Sequence, residues 1–224
     1  MPHPLSHICN WIFDLDNTLY PASNNLFALI DEKMGLFISD RLQCDRDEAY
    51  RIQKDYFHNH STTLAGLMRH EGVDPHEFLD FVHNIDLSRL TPAPLLKAEI
   101  TALPGRKYIF TNADQNYAAR VLEKLGLGGI FSGIHDIHAC DYQPKPERFA
   151  YNSMAQAFAI DPGQSLFIED MARNLAPAKT LGMATVWINN GSEWGDKGAH
   201  SDFIDYEITD LTKWLCEVND ALQK

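Results

Sequence analysis

Short apolar segments alternate with amphipathic segments along most of the chain. Four apolar runs of four to six residues are rich in aromatic and β-branched side chains: 8–13, 107–110, 165–168 and 184–188. Continuous runs of this kind are typical of strands that are buried on both faces of a parallel sheet. A weaker run at 130–137, interrupted by Gly133, is a fifth strand candidate.

Helical patterning lies between these runs. It covers the segments 115–125, 147–158 and 173–181, and a tail from 204 to 224 predicts one more short strand and a final helix. Gly126 stands just past the first segment, as is common where helices end. Strands that alternate with helices across short links predict an α/β fold with a doubly wound parallel sheet, of the Rossmann-like type.

The interval 21–92 breaks this alternation. It has no convincing strand, yet Asp45 and Glu48 have the spacing of a capping box, and further helical pieces are expected at 63–70 and 75–83. So long an interval exceeds what one crossover between parallel strands needs. We therefore predict two domains, a helical cap domain inserted at 21–92 and an α/β core formed by 1–20 and 93–224.

Composition and charge narrow the function classes. The 224 residues include 31 acidic and 19 basic ones, a formal net charge of −12, which argues against binding a nucleic-acid polymer through bulk charge. The first apolar run stops at Asp14, too short for a signal sequence, and no run is long enough to span a membrane. Four scattered cysteines indicate reduced thiols. We expect a soluble cytoplasmic protein with a small-molecule partner; the oligomeric state is not predicted.

Polar residues follow the predicted strands at the points where the strands end. Three strands are each followed by a polar pair: Asp14 and Asp16, Thr111 and Asn112, Glu169 and Asp170. Lys145 lies between two prolines, just before a predicted helix. The carboxyl ends of parallel strands meet at one crevice, where ligands bind. We therefore expect all of these side chains within one small volume.

The chemistry of such a crevice is restricted by its charge. Carboxylates crowded together repel one another unless a positive charge compensates, and oxygen ligands suit Mg²⁺, which also holds a phosphate. A carboxylate flanked by Mg²⁺ and the ammonium of Lys145 is a suitable nucleophile toward phosphorus, because both cations neutralise the phosphate. A second acid two residues along can protonate the leaving oxygen and later activate water. The pattern predicts phosphoryl transfer.

The four motifs, in this order, resemble those of the haloacid dehalogenase superfamily: D-L-D-N-T-L-Y at 14–20, T-N at 111–112, the lysine of P-K-P at 144–146 and E-D at 169–170. The resemblance runs from residue 8 to about 190, and the predicted cap has the position of the superfamily's helical cap class. More narrowly, F-D-L-D-N-T-L-Y-P, T-N-A-D and D-Y-x-P-K-P resemble the pyrimidine 5′-nucleotidase subgroup.

This resemblance implies roles for the residues that match. Asp14 resembles the nucleophile that becomes an aspartyl-phosphate, and Asp16 resembles the general acid/base, which also lends its backbone carbonyl to the metal. Thr111 and the backbone N–H of Asn112 match the groups that hold the phosphate, and Lys145 matches the charge that orients Asp14 and the phosphoryl oxygens. The resemblance places Mg²⁺ among Asp14, Asp16, Glu169 and Asp170; the E-D pair is a variant of the more usual D-D.

The resemblance implies a Mg²⁺-dependent phosphohydrolase of a small phosphorylated metabolite, with a pyrimidine nucleoside 5′-monophosphate as the leading candidate. One alternative is a sugar-phosphate phosphatase or phosphomutase of the β-phosphoglucomutase type, in which the E-D pair also occurs. Another is a binding or regulatory module that keeps the fold without turnover. Dehalogenation is disfavoured, because that chemistry lacks a paired acid at the position of Asp16.

Overall fold

A computed structural model of the chain describes residues 3–192, 195–196 and 198–223. Its strands are β1 (Asn10–Phe13), β2 (Arg106–Phe110), β3 (Gly133–His135), β4 (Ser165–Glu169), β5 (Ala184–Ile188) and β6 (Tyr206–Ile208). They form one sheet in the order β3-β2-β1-β4-β5-β6, and every neighbouring pair is parallel. The predicted α/β fold with a doubly wound parallel sheet is confirmed.

The α-helices of the described residues are α1 (Leu26–Leu42), α2 (Arg46–Asn59), α3 (Thr63–Glu71), α4 (Pro75–Val82), α5 (Pro94–Ala102), α6 (Gln115–Lys124), α7 (Arg148–Phe158), α8 (Leu175–Thr180) and α9 (Leu211–Leu222). The predicted tail thus forms β6 and α9, and its last residue, Lys224, lies outside the described residues. None of these helices is both long enough and apolar enough to cross a lipid bilayer.

The strands are buried on both faces because successive side chains point to opposite sides of the sheet. In β1, Trp11 and Phe13 belong to one hydrophobic core and Ile12 to a second core on the other face. The same alternation occurs in β4, where Leu166 and Phe167 belong to different cores. This explains why the strands are continuous apolar runs in the sequence.

Helices α1 to α4 follow one another between β1 and β2. Helix α1 contacts both α2 and α4, and α2 contacts α3. Half of the predicted capping box forms: the side chain of Asp45 accepts a hydrogen bond from the N–H of Glu48 at 2.9 Å, whereas the carboxylate of Glu48 accepts from Arg51. The boundaries of a cap domain at 21–92 stay a prediction.

The order of the strands creates the crevice. The chain leaves β1 to form β2 and β3 on one side and β4, β5 and β6 on the other, so β1 is the strand at which the direction of the sheet order reverses. In open α/β sheets, ligands bind outside the carboxyl ends of the strands at such a point. The residues that follow β1, β2 and β4 therefore share one location.

Candidate active site

Lys145 is buried at the centre of the crevice, with only 1% of its surface exposed. Its Nζ atom donates to Oδ1 of Asp14 and Oε2 of Glu169, both at 2.7 Å, and to the backbone carbonyl of Phe110 at 2.9 Å. These three acceptors match the three protons of an ammonium group. The lysine thus joins the ends of β1, β2 and β4.

Asn112 fixes the backbone that carries this lysine. Its side-chain oxygen accepts a hydrogen bond from the N–H of Lys145 at 2.8 Å, and its side-chain nitrogen donates to the carbonyl of Lys145 at 3.2 Å. The peptide bond between Lys145 and Pro146 is cis. The side chain of Asn112 therefore positions Lys145.

Three carboxylates surround this one ammonium. Oxygen atoms of Asp14, Glu169 and Asp170 lie within 4.8 Å of one another, and all three residues are buried. One lysine leaves the group with an excess of negative charge, and an all-oxygen donor set of this kind fits Mg²⁺. The oxygen ligands of these three residues and their net negative charge therefore suit a divalent cation. The carboxyl of Asp16 is not part of this group.

The same crowding changes the proton affinities. Burial, and after it the charge of Glu169, raise the pKa of Asp14 to about 7, although Lys145 acts to lower it. Burial and the neighbouring carboxylates also raise the pKa of Asp170 well above its usual range. Burial acts to lower the pKa of Lys145, but the charges of Asp14 and Glu169 outweigh it and raise that pKa above its usual value. The lysine is therefore charged, and the carboxylates need a further positive charge to stay ionised together.

The two acids after β4 are not equivalent. Both oxygens of Glu169 accept hydrogen bonds, one from Lys145 and the other from the N–H of Met171 at 3.1 Å. Asp170 accepts one from the side chain of Asn190 at 3.1 Å, through Oδ2. Asp170 therefore has more lone pairs available for a cation than Glu169 has.

The second acid after β1 has different surroundings. Oδ1 of Asp16 accepts hydrogen bonds from the hydroxyl of Tyr20 at 2.5 Å and from the hydroxyl of Tyr117 at 2.8 Å. Burial raises the pKa of Asp16, and the two hydroxyls act against this rise. A carboxyl with raised proton affinity and fixed orientation is suited to hold and release a proton.

Thr111 and Asn112 present donors beside these acids. The hydroxyl oxygen of Thr111 accepts the N–H of Ala113 at 3.0 Å, so its own proton is available to a ligand. The backbone N–H of Asn112 donates to no acceptor among the described residues. Both groups lie in the segment between β2 and α6, whose first N–H groups are already bound by Asp136 and Asp114.

All seven residues predicted from the motifs line one cavity of about 250 Å³: Asp14, Asp16, Thr111, Asn112, Lys145, Glu169 and Asp170. Another wall comes from α1 to α4 and is largely apolar, formed by Phe27, Ile30, Met34, Phe57, Leu64, Phe78, Leu79 and Val82. It also holds a Lys54–Asp31 ion pair at 2.8 Å. The cavity is thus lined by charged groups from the strand ends and by largely apolar side chains from α1 to α4.

Two parts of the site have no counterpart among the sequence motifs. Arg173 donates to the backbone carbonyl of Ser61 at 3.1 Å, and its guanidinium lies 4.7 Å from the ring centre of Phe57, so it connects the segment after β4 to α2. His83, at the end of α4, contacts Tyr117 and Asp114. Only the cap position of Asp114, just before α6, could have been inferred from the sequence.

Comparison with known proteins gives the family. A family model described as haloacid dehalogenase-like hydrolase matches residues 11–182. The chain is 27% identical over 197 residues to Phosphate metabolism protein 8 of Saccharomyces cerevisiae, a match that covers 79% of this chain and only 60% of the yeast protein. It is 25% identical to a glyceraldehyde 3-phosphate phosphatase of Methanopyrus kandleri, over 95% of this chain and 97% of that protein.

Solved structures agree on the fold. A HAD phosphatase from Thermococcus onnurineus superposes with a TM-score of 0.62 at 19% identity and covers 96% of this chain and 98% of its own. The putative HAD-hydrolase YfnB from Bacillus subtilis, solved with bound magnesium, gives 0.61 at 16% identity, over 97% and 99% of the two chains. At these identities the likeness shows the fold alone. Because the family model covers most of the sequence, the chain belongs to the haloacid dehalogenase-like hydrolase family.

Proposed function

We propose that this protein is a phosphohydrolase that acts through an aspartyl-phosphate on Asp14. The observation that carries the proposal is the position of Lys145, whose Nζ atom binds both Asp14 and Glu169 at 2.7 Å inside the cavity. A buried carboxylate beside a fixed cation is a nucleophile suited to a phosphate ester, because the cation offsets the repulsion between two anions.

In the first step a carboxylate oxygen of Asp14 forms a bond to phosphorus, and the bond from phosphorus to the leaving oxygen breaks. Asp16, protonated at the start, gives its proton to that oxygen. Lys145 stays charged and holds Asp14 in line. The hydroxyl of Thr111 and the backbone N–H of Asn112 donate to the phosphoryl oxygens, over which the charge of the transferring group is spread.

In the second step Asp16 is a carboxylate and takes a proton from water. The resulting hydroxide oxygen bonds to phosphorus, the bond between phosphorus and Asp14 breaks, and inorganic phosphate forms. Asp14 is again a carboxylate and Asp16 is again protonated. One residue serves as acid and then as base because the two steps need opposite proton transfers.

The metal that we propose is Mg²⁺, held by carboxylate oxygens of Asp14 and Asp170, by the backbone carbonyl of Asp16 and, through water, by Glu169. Glu169 is the indirect ligand because both of its oxygens already accept hydrogen bonds. When bound, the cation supplies positive charge that favours ionised Asp14 and shields the phosphate.

The substrate that we propose is a small phosphorylated metabolite, first of all a pyrimidine nucleoside 5′-monophosphate. We propose that residues 21–92 form a cap domain over a core of 1–20 and 93–224 and provide the surface that binds the leaving group. The largely apolar wall that includes Phe27, Phe57 and Phe78 supports this choice, because a flat base gains more from such a wall than a polyhydroxylated sugar does.

A sugar phosphate is the second candidate. It is favoured by the similarity to a protein named glyceraldehyde 3-phosphate phosphatase, which matches along 95% of this chain. Lys54 and Asp31, which line the cavity as an ion pair, could form hydrogen bonds with sugar hydroxyls, Lys54 as donor and Asp31 as acceptor. A phosphomutase would use the same residues and return the phosphate to another hydroxyl of the sugar.

The test is a screen of nucleoside monophosphates and sugar phosphates, with Mg²⁺ and with EDTA. Free phosphate and isomerised sugar phosphate are measured separately. We expect Mg²⁺-dependent phosphate release with the highest kcat/KM on a pyrimidine nucleotide. Higher kcat/KM on a sugar phosphate would select the second candidate, and ligand binding without any phosphate release, even from p-nitrophenyl phosphate, would identify a binding module and refute the proposal.

A further inference from the structure

The hydroxyls of two tyrosines converge on one oxygen of Asp16. Tyr20 follows β1 and donates to Oδ1 at 2.5 Å, and Tyr117, in the first turn of α6, donates to the same Oδ1 at 2.8 Å. Both tyrosines are buried, with 3% and 0% of their surfaces exposed. Because both bonds use Oδ1, the plane of the carboxyl is fixed and Oδ2 is the oxygen available to a substrate.

Tyr117 is in turn fixed from two sides. Its backbone N–H donates to Oδ1 of Asp114 at 2.9 Å, and the ring of His83 stacks on its ring with centres 4.4 Å apart and planes 14° apart. Nδ1 of His83 is hydrogen-bonded to the other oxygen of Asp114, and Arg120 donates to the carbonyl of His83 at 2.5 Å. His83 follows α4, so this network joins the end of α4 to α6.

The phenols are suited to a lasting role as donors. A phenol has an ordinary pKa of about 10, so both hydroxyls carry a proton to donate at neutral pH. A hydroxyl that needed only a partner could use a backbone carbonyl, as the buried Tyr151 does at the carbonyl of Asn174. Here two hydroxyls from distant parts of the chain instead meet at one side chain that lines the cavity.

We propose that Tyr20 and Tyr117 are positioning residues that aim the carboxyl of Asp16 at the leaving oxygen, and that His83 holds Tyr117 for this task. The inference rests on the proposed function, in which Asp16 protonates that oxygen. An acid contributes only where its proton is needed. The tyrosines should therefore matter for substrates with poor leaving groups and much less for substrates with good ones.

The test compares two substrates in the full-length protein with Mg²⁺. One is p-nitrophenyl phosphate, whose leaving group departs without a proton, and the other is the alkyl phosphate that the unaltered protein hydrolyses fastest. We expect Tyr117→Phe and Tyr20→Phe each to lower kcat/KM for the alkyl phosphate about 10- to 100-fold, as would loss of a hydrogen bond to a carboxyl that becomes charged in the transition state. The loss of kcat/KM for p-nitrophenyl phosphate should stay below about 3-fold, because its leaving group needs no proton from Asp16.

Tyr56→Phe is the matched control. The hydroxyl of Tyr56 also donates to a carboxylate, Glu71, at 2.6 Å, but the residue does not line the cavity. This variant should change both substrates equally and by little. Asp114→Asn keeps a side chain that can cap α6 and weakens the bond to His83, so it should give the same split between substrates at about 2- to 5-fold.

Equal losses on both substrates in Tyr20→Phe and Tyr117→Phe would overturn the inference, since a merely structural role predicts that result. Unchanged kinetics on both substrates would overturn it as well. Thermal unfolding midpoints verify that each variant is folded, and if one tyrosine proves essential for folding, the other decides alone. Absence of phosphate release by the unaltered protein is a different result, which would remove the proposed function and this inference with it.

Discussion

Asp14 and Asp16 are separated by one residue, yet they lie in opposite kinds of surroundings. Asp14 contacts charges, namely the ammonium of Lys145 and the carboxylates of Glu169 and Asp170. Asp16 contacts neutral donors, the hydroxyls of Tyr20 and Tyr117. The two carboxylates raise the pKa of Asp14, so Asp14 would stay ionised through Lys145 together with a bound cation, whereas neutral hydroxyls leave Asp16 able to gain and lose a proton.

This contrast explains how one short turn can provide two kinds of acid. Asn17, just after Asp16, has a φ of 58°, a left-handed conformation that asparagine tolerates better than most residues. The chain thus turns directly after the two acids, whose side chains belong to separate networks. Substitutions on the two sides should therefore have different consequences.

The largest loss of activity is expected at Asp14, the acid with charged surroundings. Asp14→Asn removes the nucleophile without changing the size of the side chain, so turnover should be abolished and no covalent phosphate should be trapped on the protein. Mass spectrometry of acid-quenched reactions and an assay of phosphate release measure both quantities. Near-native Mg²⁺-dependent rates in this variant would exclude the covalent mechanism.

The next largest loss of activity is expected at Asp16, the acid with neutral surroundings. Asp16→Asn should lower kcat by about 10²- to 10⁴-fold, the usual contribution of a positioned acid and base. With p-nitrophenyl phosphate the first step needs no acid, so the second step should become limiting and the aspartyl-phosphate should accumulate. Quenched samples should contain trapped phosphate here, unlike those of Asp14→Asn. An identical absence of trapped phosphate in both variants would contradict the division between the two acids.

A third prediction separates the two acids after β4. Asp170→Asn should raise the Mg²⁺ concentration needed for half-maximal activity about 10- to 100-fold, because outright loss of a ligand carboxylate weakens binding at least as much as loss of an outer-shell partner does. Glu169→Gln should raise it less, since Glu169 already accepts hydrogen bonds at both oxygens. Mg²⁺ titrations of the two variants measure this difference. A larger change in Glu169→Gln would reverse the assignment of the direct ligand.

The sequence alone predicts the charged side well. Three apolar strands are followed directly by polar residues, and in a parallel sheet those strand ends must converge, so local sequence is enough to bring Asp14, Thr111 and Glu169 together. Lys145 lies ten residues after β3, and only the order of the family motifs places it with them. The strands at 10–13, 106–110 and 165–169 lie close to the predicted runs. Both the fold and this half of the candidate site follow from short-range patterns.

The surroundings of Asp16 depend largely on contacts between distant residues, which no local sequence pattern predicts. Tyr20 ends the D-L-D-N-T-L-Y motif, but His83 and Tyr117 are single residues outside the motifs, and such residues are more often core than site. The helix α5 is absent from the prediction for a different, local reason. The T-P-A-P sequence at 91–94 favours a hinge, yet Pro94 stands in the first turn of α5, where a missing N–H costs nothing.

The smallest effect tests the support behind Tyr117 through stability. Burial acts to raise the pKa of Asp114, but the hydrogen bond and charge of His83 and the N–H of Tyr117 outweigh it, so this pKa is lowered on folding. A lowered pKa contributes stability above the unfolded value of about 4, and the contribution is lost as the pH falls through the folded value. At neutral pH, Asp114→Asn should therefore reduce the free energy of unfolding by about 1.5 kcal/mol. Urea denaturation should show this difference shrinking below about pH 4, whereas Asp80→Asn, on the exposed side of α4, should show no such trend. A difference that stayed constant down to about pH 3 would mean that His83 and Asp114 hold Tyr117 by packing alone.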